Sequence, residues 1–388
     1  MSVLLHIIIP FLVAFCAVLW IFPKILNLAI TRNLVDCPDA RKLQKRPVPV
    51  LGGMAVFFGI SVALFVSLID TYYANLFGIF VAMGIMLYIG TIDDLMGLSP
   101  NMRFLVEIVV VLLLIFVNRY QIDDFHGLFG LNEISMWFAV PLTVFAAVGI
   151  INAINLIDGV NGLSSGYCVM ACIFFGTLFY IAEDPSMVIL ASVSAGALIP
   201  FFLHNVFGVS SKMFIGDGGS LVMGIIMATF VVNALYHGSS VAAHYEAGVG
   251  LIPFTLAALS VPVFDTLRVM LSRIVRGVSP FNPDKTHLHH IFIRLNCSHS
   301  ATTFTILSLN FAIVVCWLAM VRMGYSVDAQ LYVVIALGLL VTFGLYHFFD
   351  AHIERQSKLY QLMNRIGDFT HIERRGLFLW LQKIIDRI

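Results

Sequence analysis

Eleven blocks of mostly apolar residues run along the chain, at about 4–30, 48–69, 75–92, 104–118, 136–153, 163–182, 186–207, 219–236, 247–271, 301–321 and 328–349. Crossing a hydrocarbon core takes about 20 such residues as a helix, because unpaired backbone amides are too costly in lipid. Each block therefore predicts a membrane-spanning helix, and the fold class expected is an all-α, polytopic membrane protein with about eleven such helices. The opening MSVLLHIIIP lacks the basic start of a cleavable signal, and the apolar run continues through Trp20 to Ile30, which predicts a retained first span. Residues 1–349 are expected to form one transmembrane domain. Residues 350–388 are too charged to span, and GLFLWLQKIIDRI at their end mixes Leu, Phe, Trp and Ile with Lys and Arg, as an interfacial helix does.

Composition agrees with the blocks. Of 388 residues 60% are hydrophobic and 11% charged, against roughly 45–50% and about 25% in an average soluble domain, which argues against a soluble globular protein. Lys plus Arg is 22 and Asp plus Glu is 22; without a basic excess no nucleic-acid partner is expected. The cysteines, at 16, 37, 168, 172, 297 and 316, include no CxxC and mostly lie in apolar runs, which reads as buried inert thiols rather than disulfides or zinc.

Basic residues orient the chain, since positive loops stay in the cytoplasm. With the N-terminus periplasmic and the C-terminus cytoplasmic, only Arg119 and Arg322 of the 22 basic residues fall outside. The same alternation puts every chemically unusual segment inside: RNLVDCPDARKLQKRPVPVLGG, GTIDDLMGLSPNMR, NAINLIDGVNG, FGVSSKMFIGDGGS and RIVRGVSPFNPDKTHLHH. The outside pair Asp123-Asp124 is a control showing that an acidic dipeptide alone says little.

Asp93 and Asp94 end the third block, two like charges where desolvation already penalises one, with Gly90 before them and Arg103 after. They read as a site or as a solvated helix terminus. Asp217 sits among glycines at the start of the eighth block, where free N–H groups make an anion site and a carboxylate can hold the magnesium that accompanies phosphate; a flexible turn with an Asp cap is the plainer alternative. Asn152, Asn155, Asp158 and Asn161, three residues apart, are expected to share one face of a helical turn and to suit a nucleobase, a sugar or a metal. His287, His289 and His290 lack the common zinc spacings and, beside Arg276 and Lys285, fit phosphate contact better. The cluster Arg41, Lys42, Lys45 and Arg46 obeys the positive-inside rule without any site, and its headgroup-level position also suits an anionic lipid. Carboxylates, a Gly-rich helix start, amides, histidines and basic groups on one face amount to equipment for phosphoryl chemistry at a membrane surface. A transporter, the reading that composition alone favours, places its polar sites near the bilayer midplane instead.

The ordered set GTIDDL, NAINLIDGVNGL, FIGDGGSL, VPVFDTLRV and SPFNPDKTHLHH, over residues 31–294, resembles the polyprenyl-phosphate N-acetylhexosamine-1-phosphate transferase superfamily. The HxHH form and its SPFxPD lead-in are similar to the bacterial WecA- and TagO-like undecaprenyl-phosphate GlcNAc-1-phosphate transferases. That resemblance implies a multi-pass enzyme of the bacterial inner membrane with a cytoplasmic active site. It would transfer GlcNAc-1-phosphate from UDP-GlcNAc to undecaprenyl phosphate and release UMP, with Mg2+ or Mn2+, as the first membrane step of a cell-surface glycan such as O antigen, enterobacterial common antigen or teichoic acid. Another UDP-N-acetylhexosamine or UDP-MurNAc-pentapeptide is the alternative donor, and the partners leave room for a homodimer. It further implies that Asp217 ligates the metal, that Asp93 and Asp94 serve the acceptor phosphate or the metal, and that Phe214 stacks on uracil. Asn155 would lie near the pyrophosphate, Asp158 and Asn161 would form part of the donor site, His287, His289 and His290 with Arg276 would engage donor phosphate and sugar, and Lys42 would hold the lipid phosphate. Two positions depart from the pattern: Asn161 stands where bacterial members commonly carry Asp, and Gln44 where a His is expected.

Overall fold

A computed structural model describes residues 4–36, 47–67, 73–244, 248–279, 285–372 and 376–387. Helices dominate: α1 (Leu4–Thr31), α2 (Gly52–Ser67), α3 (Ala74–Met96), α4 (Pro100–Asn118), α5 (Met136–Leu156), α6 (Leu163–Ile181), α7 (Pro185–Phe207), α8 (Gly216–Ala234), the short α9 (Ser240–Ala243), α10 (Leu251–Ala258), α11 (Ser260–Val275), α12 (Leu288–Arg294), α13 (His299–Arg322), α14 (Val327–Glu354), α15 (Lys358–Phe369) and α16 (Gly376–Ile385). A two-residue antiparallel ladder joins β1 (Val35–Asp36) to β2 (Val48–Pro49).

All eleven predicted blocks are helical, but they are not eleven equal spans. Among the described residues nine helices are long and apolar enough to cross a membrane, or ten if the bent pair α10–α11 is one span. The block expected at 48–69 starts late, at Gly52, where the 16 described residues of α2 begin, because Val48 and Pro49 are drawn into the ladder. The block expected at 247–271 breaks by 75° between Ala258 and Ser260. Pro262 has no N–H to give to Ala258, and the freed groups are taken up by two buried side chains. Asn310 Oδ1 accepts from Val261 N at 3.1 Å, its amide donates to the Ala257 and Ala258 carbonyls at 3.4 and 3.2 Å, and Tyr167 Oη donates to Ala258 O at 2.8 Å.

Local signals set several helix starts. Ser99, Asp184, Ser298, Ser326 and Ser357 each accept a backbone N–H of the first turn, and Pro100 and Pro185 follow two of them at the first helical position. Helices do not assemble in lipid by hiding apolar surface from water, so close backbone approach between small residues counts for more. Helix α8 is buried along almost its whole length, clasped at its N-terminus by α2 and α3. A Cβ on Gly90 would strike the Gly218 backbone, and one on Gly53 the Gly219 backbone. Outward-facing Trp20, Phe65, Phe77, Trp137, Phe138 and Phe145 are exposed, as expected of a lipid-facing surface.

Candidate active site

The glycine contacts bring the last turn of α3 onto the first turn of α8. There Asp94 Oδ1 accepts from Asp217 N at 3.0 Å and Oδ2 from Gly218 N at 3.2 Å. The anion at this helix start is thus Asp94 itself, which corrects the expectation of open N–H groups awaiting a phosphate, and its cap fixes Asp217. On the neighbouring side Asn155, in the last turn of α5, donates to Asp217 Oδ1 and to Ser220 Oγ, both at 2.8 Å.

Asp93 accepts from Leu98 N at 2.7 Å and from Arg103 Nη1 at 3.2 Å, and its charge bears on Asp217. Arg103 is the hub. Nη1 is 3.8 Å from Asp217 Oδ2, Nη2 donates to Asn152 Oδ1 at 3.3 Å, and Nε is 3.5 Å from Glu107 Oε1. Asn152 in turn donates to Glu107 Oε2 at 2.5 Å. Arg103 thus serves three carboxylates, Asp93, Glu107 and Asp217, and Asp94 and Asp158 add their charge beside Asp217, Asp158 interacting electrostatically with both. The Asp217 side chain is 36% exposed, that of Asp93 14% and that of Glu107 1%, so of these three Asp217 is the most open to a ligand.

The four residues expected on one helical face diverge. Helix α5 ends at Leu156, so Asn152 and Asn155 point from its last turns while Asp158 and Asn161 lie in the turn beyond it. Asp158 accepts from the Ser164 hydroxyl, and burial lifts its carboxyl to about 7. The Asn161 backbone is held on α13, its N–H meeting His299 Nδ1 at 3.4 Å and its carbonyl accepting from Thr303 Oγ1 at 2.8 Å.

That turn is roofed by the histidine segment. The His289 imidazole sits where a Cβ on Gly159 would have to go. His289 is buried, its Nε2 has no partner among the described residues, and burial beside two other imidazoles pushes its basicity well below the usual histidine range. His287 stacks parallel to it with ring centroids 5.7 Å apart, and His290 lies 4.2 Å from His289. His287 Nδ1 meets Asp265 Oδ2 at 3.0 Å. Phe214 is pinned through its backbone, accepting from Gly52 N at 2.9 Å and donating to Pro49 O at 2.8 Å, with Lys212 Nζ 5.8 Å from its ring. Burial pulls Lys212 down to about 8. Arg276 caps the exposed end of α11, its Nε donating to Ser272 O at 3.1 Å. Lys42 lies outside the described residues.

Asp93, Asp94, Asn155, Asp158 and Asp217 therefore converge, and His289 and Asn161 join them through the 157–162 turn. Glu107, Ser164, Ser220 and Lys212 were not singled out by sequence. Glu107 carried a usable signal, an ionisable residue four positions after Arg103 inside an apolar span.

With this geometry in place, the profile described as glycosyl transferase family 4 matches residues 76–235. A Bacillus subtilis protein described as a probable undecaprenyl-phosphate N-acetylglucosaminyl 1-phosphate transferase is 30% identical over 312 residues, 79% of this chain and 83% of that protein. The chain belongs to this transferase family. Within it, a Yersinia pestis undecaprenyl-phosphate alpha-N-acetylglucosaminyl 1-phosphate transferase is 30% identical over 74% of this chain and 76% of its own length, and the Escherichia coli K12 protein of the same description is 26% identical over 72% and 74%. The residues matched by the family profile run from α3 to α8, the stretch that carries the whole carboxylate cluster.

Proposed function

We propose that this family member transfers GlcNAc-1-phosphate from UDP-GlcNAc to undecaprenyl phosphate, forming undecaprenyl-pyrophosphoryl-GlcNAc and UMP. The observation that carries the reading is the convergence of Asp93, Asp94, Asp158 and Asp217, from three separated segments, with Arg103 as the one basic side chain bonded among them within the described residues. A surplus of negative charge beside a helix start suits a divalent ion that arrives with substrate phosphates.

The donors present are hard carboxylate oxygens, the chemistry magnesium or manganese takes. Among the described residues no three His, Cys, Asp or Glu form a ready-made cage, which fits an ion held by one or two carboxylates plus phosphate oxygens. Asp217 and Asp93 would hold it, and it would neutralise charge on the pyrophosphate. Asp94 holds Asp217 in register through the α8 cap. Phe214 offers a face to the uracil with Lys212 beside it, Asn155 and Asn161 flank the pyrophosphate and base, and the histidine segment closes over the donor. Arg276 and Lys42 would contact phosphate from the donor and lipid sides.

A lipid phosphate oxygen attacks the sugar-linked phosphorus. The bond from that phosphorus to the bridging oxygen breaks, UMP leaves with the bridging oxygen, and the sugar C1–O bond stays intact, so anomeric configuration is retained. A phosphate monoester with a second pKa of about 6 is already mostly dianionic near neutrality, so no general base is needed and catalysis is positioning and charge neutralisation.

The topology that suits this reaction has eleven spans, counting α2 and the bent pair, with the N-terminus periplasmic and the site on the cytoplasmic face of the inner membrane. Helices α15 and α16 then lie on that membrane surface, which is supported by exposed Leu362, Ile366, Phe369, Leu377 and Trp380 just after the last span. The test is transfer of sugar label from a panel of UDP-sugars to undecaprenyl phosphate, with and without magnesium. Labelled lipid from UDP-GlcNAc in the presence of the ion is expected. Product only from a different UDP-sugar, or none from any, would overturn the assignment.

A further inference from the structure

Asp265 and Arg268, on the inner turn of α11, are 2% exposed each, and His287 is 4% exposed. Nothing in the chemistry above uses the two α11 residues, yet both Asp265 oxygens and Arg268 Nη2 reach the histidine segment. Asp265 Oδ2 meets His287 Nδ1 at 3.0 Å, both Asp265 oxygens accept from Leu288 N at 3.1 Å, and Oδ1 accepts from Arg268 Nη2 at 2.7 Å. Arg268 also donates to the Thr286 carbonyl and stacks its guanidinium 3.7 Å over the Tyr346 ring.

A carboxylate only accepts hydrogen bonds, so the neutral His287 ring must carry its hydrogen on Nδ1 to be bonded there. That commits Nδ1 and leaves Nε2, with its lone pair, as the nitrogen that can meet a ligand. Arg268 supplies the countercharge that a carboxylate this deeply placed needs, and its bond to Thr286 and contact with Tyr346 keep the pair from turning. We infer that Asp265, backed by Arg268, is a positioning residue that sets the tautomer and ring orientation of His287 toward the donor. The inference rests on the proposed transferase reading for the identity of that donor.

The alternative is that Asp265 does no more than cap α12 through Leu288 N. Asp265→Asn separates the two, because an amide oxygen still caps Leu288 whereas its NH2 donates to Nδ1 and drives the hydrogen to Nε2. Expected for Asp265→Asn is a fall in kcat on the order of 10²–10⁴-fold, with KM for UDP-GlcNAc changed by less than about threefold. In a His287→Gln background the same substitution should change kcat by less than about twofold. An equal loss in both backgrounds, or no loss in either, would overturn the inference. The readout independent of turnover is 15N NMR of histidine-labelled full-length protein, the His287 signals assigned by their absence in His287→Gln. Neutral wild-type His287 should be protonated on Nδ1 and the Asp265→Asn ring on Nε2; a wild-type ring protonated on Nε2 would overturn it. Wild-type protein that shows the Nδ1 form but transfers no sugar phosphate would sink the transferase reading and leave the positioning role standing.

Discussion

The two ends of the helical bundle are both polar, and they satisfy their polar groups in opposite ways. At the end that includes the N-terminus of α7, Asp184 and Asp123 each have donors of their own. Asp184 accepts from Ser186 Oγ at 2.6 Å and Met187 N at 3.1 Å, and Asp123 accepts from Gln121 Nε2 at 2.9 Å and meets His237 Nδ1 at 2.6 Å. Asn75 ties the end together, its side chain donating to Tyr120 Oη at 2.8 Å and Ser186 Oγ at 2.7 Å and its backbone carbonyl accepting from Asn118 Nδ2 at 2.6 Å. At the other end Asp93, Glu107 and Asp217 crowd around Arg103, and Asp94 and Asp158 lie against Asp217 with no cationic partner for either among the described residues. A network closed on itself holds helices together. Carboxylates outnumbering their counter-ions make a place for something cationic to enter, and that imbalance, rather than polarity as such, separates a site from a staple.

The largest consequence is a split between activity and stability. Asp217→Asn should lower kcat by about 10³-fold or more with the melting temperature nearly unchanged, whereas Asp184→Ala should leave kcat within about threefold and lose about 1 kcal/mol of stability with its helix cap. Turnover and thermal unfolding of both variants check this, and equal activity losses would erase the distinction between the ends. Next in size, Asn75→Leu should destabilise by about 1–3 kcal/mol by stranding its partners, again with kcat preserved in the folded fraction.

Asp158 gives a pH-dependent test. Its folded value of about 7 lies above the ordinary carboxylate value of about 4, so the folded state binds the extra proton and stability falls as pH rises between those limits, staying low above 7. Asp158→Asn should therefore raise thermal stability more at pH 8 than at pH 5, by on the order of 2 kcal/mol once solvent screening of a half-buried group is allowed for. A gain equal at both pH values would place the strain elsewhere. Smallest, Asn161→Ala should raise KM for UDP-GlcNAc about tenfold, the worth of one hydrogen-bonding group, while Asn161→Asp stays within about twofold; unchanged kinetics in both would remove Asn161 from the donor site.

Helix positions were legible because lipid forces long apolar runs, and nearly every boundary lies within a few residues of the expected one. The bend at Leu259 was not, since it depends on Asn310 and Tyr167 reaching across from other helices to carbonyls that Pro262 leaves open. In the site, Asp93, Asp94 and Asp217 stood out as charges at the ends of apolar blocks. What each charge faces did not: that Asp94 caps α8, that α5 stops before Asp158, and that Asp265 serves His287 are contacts between segments far apart in the chain. The regular spacing from Asn152 to Asn161 misled because it continued past the end of the helix that gave it meaning.

Following the fate of phosphorus addresses the assignment of the crowded end as a phosphoryl-transfer centre. With UDP-GlcNAc labelled at the sugar-linked phosphate and undecaprenyl phosphate as acceptor, the label should pass wholly into the lipid while unlabelled UMP is released. Label recovered in free UDP, with only the sugar moved to the lipid, would mean attack at the sugar carbon and would contradict the account.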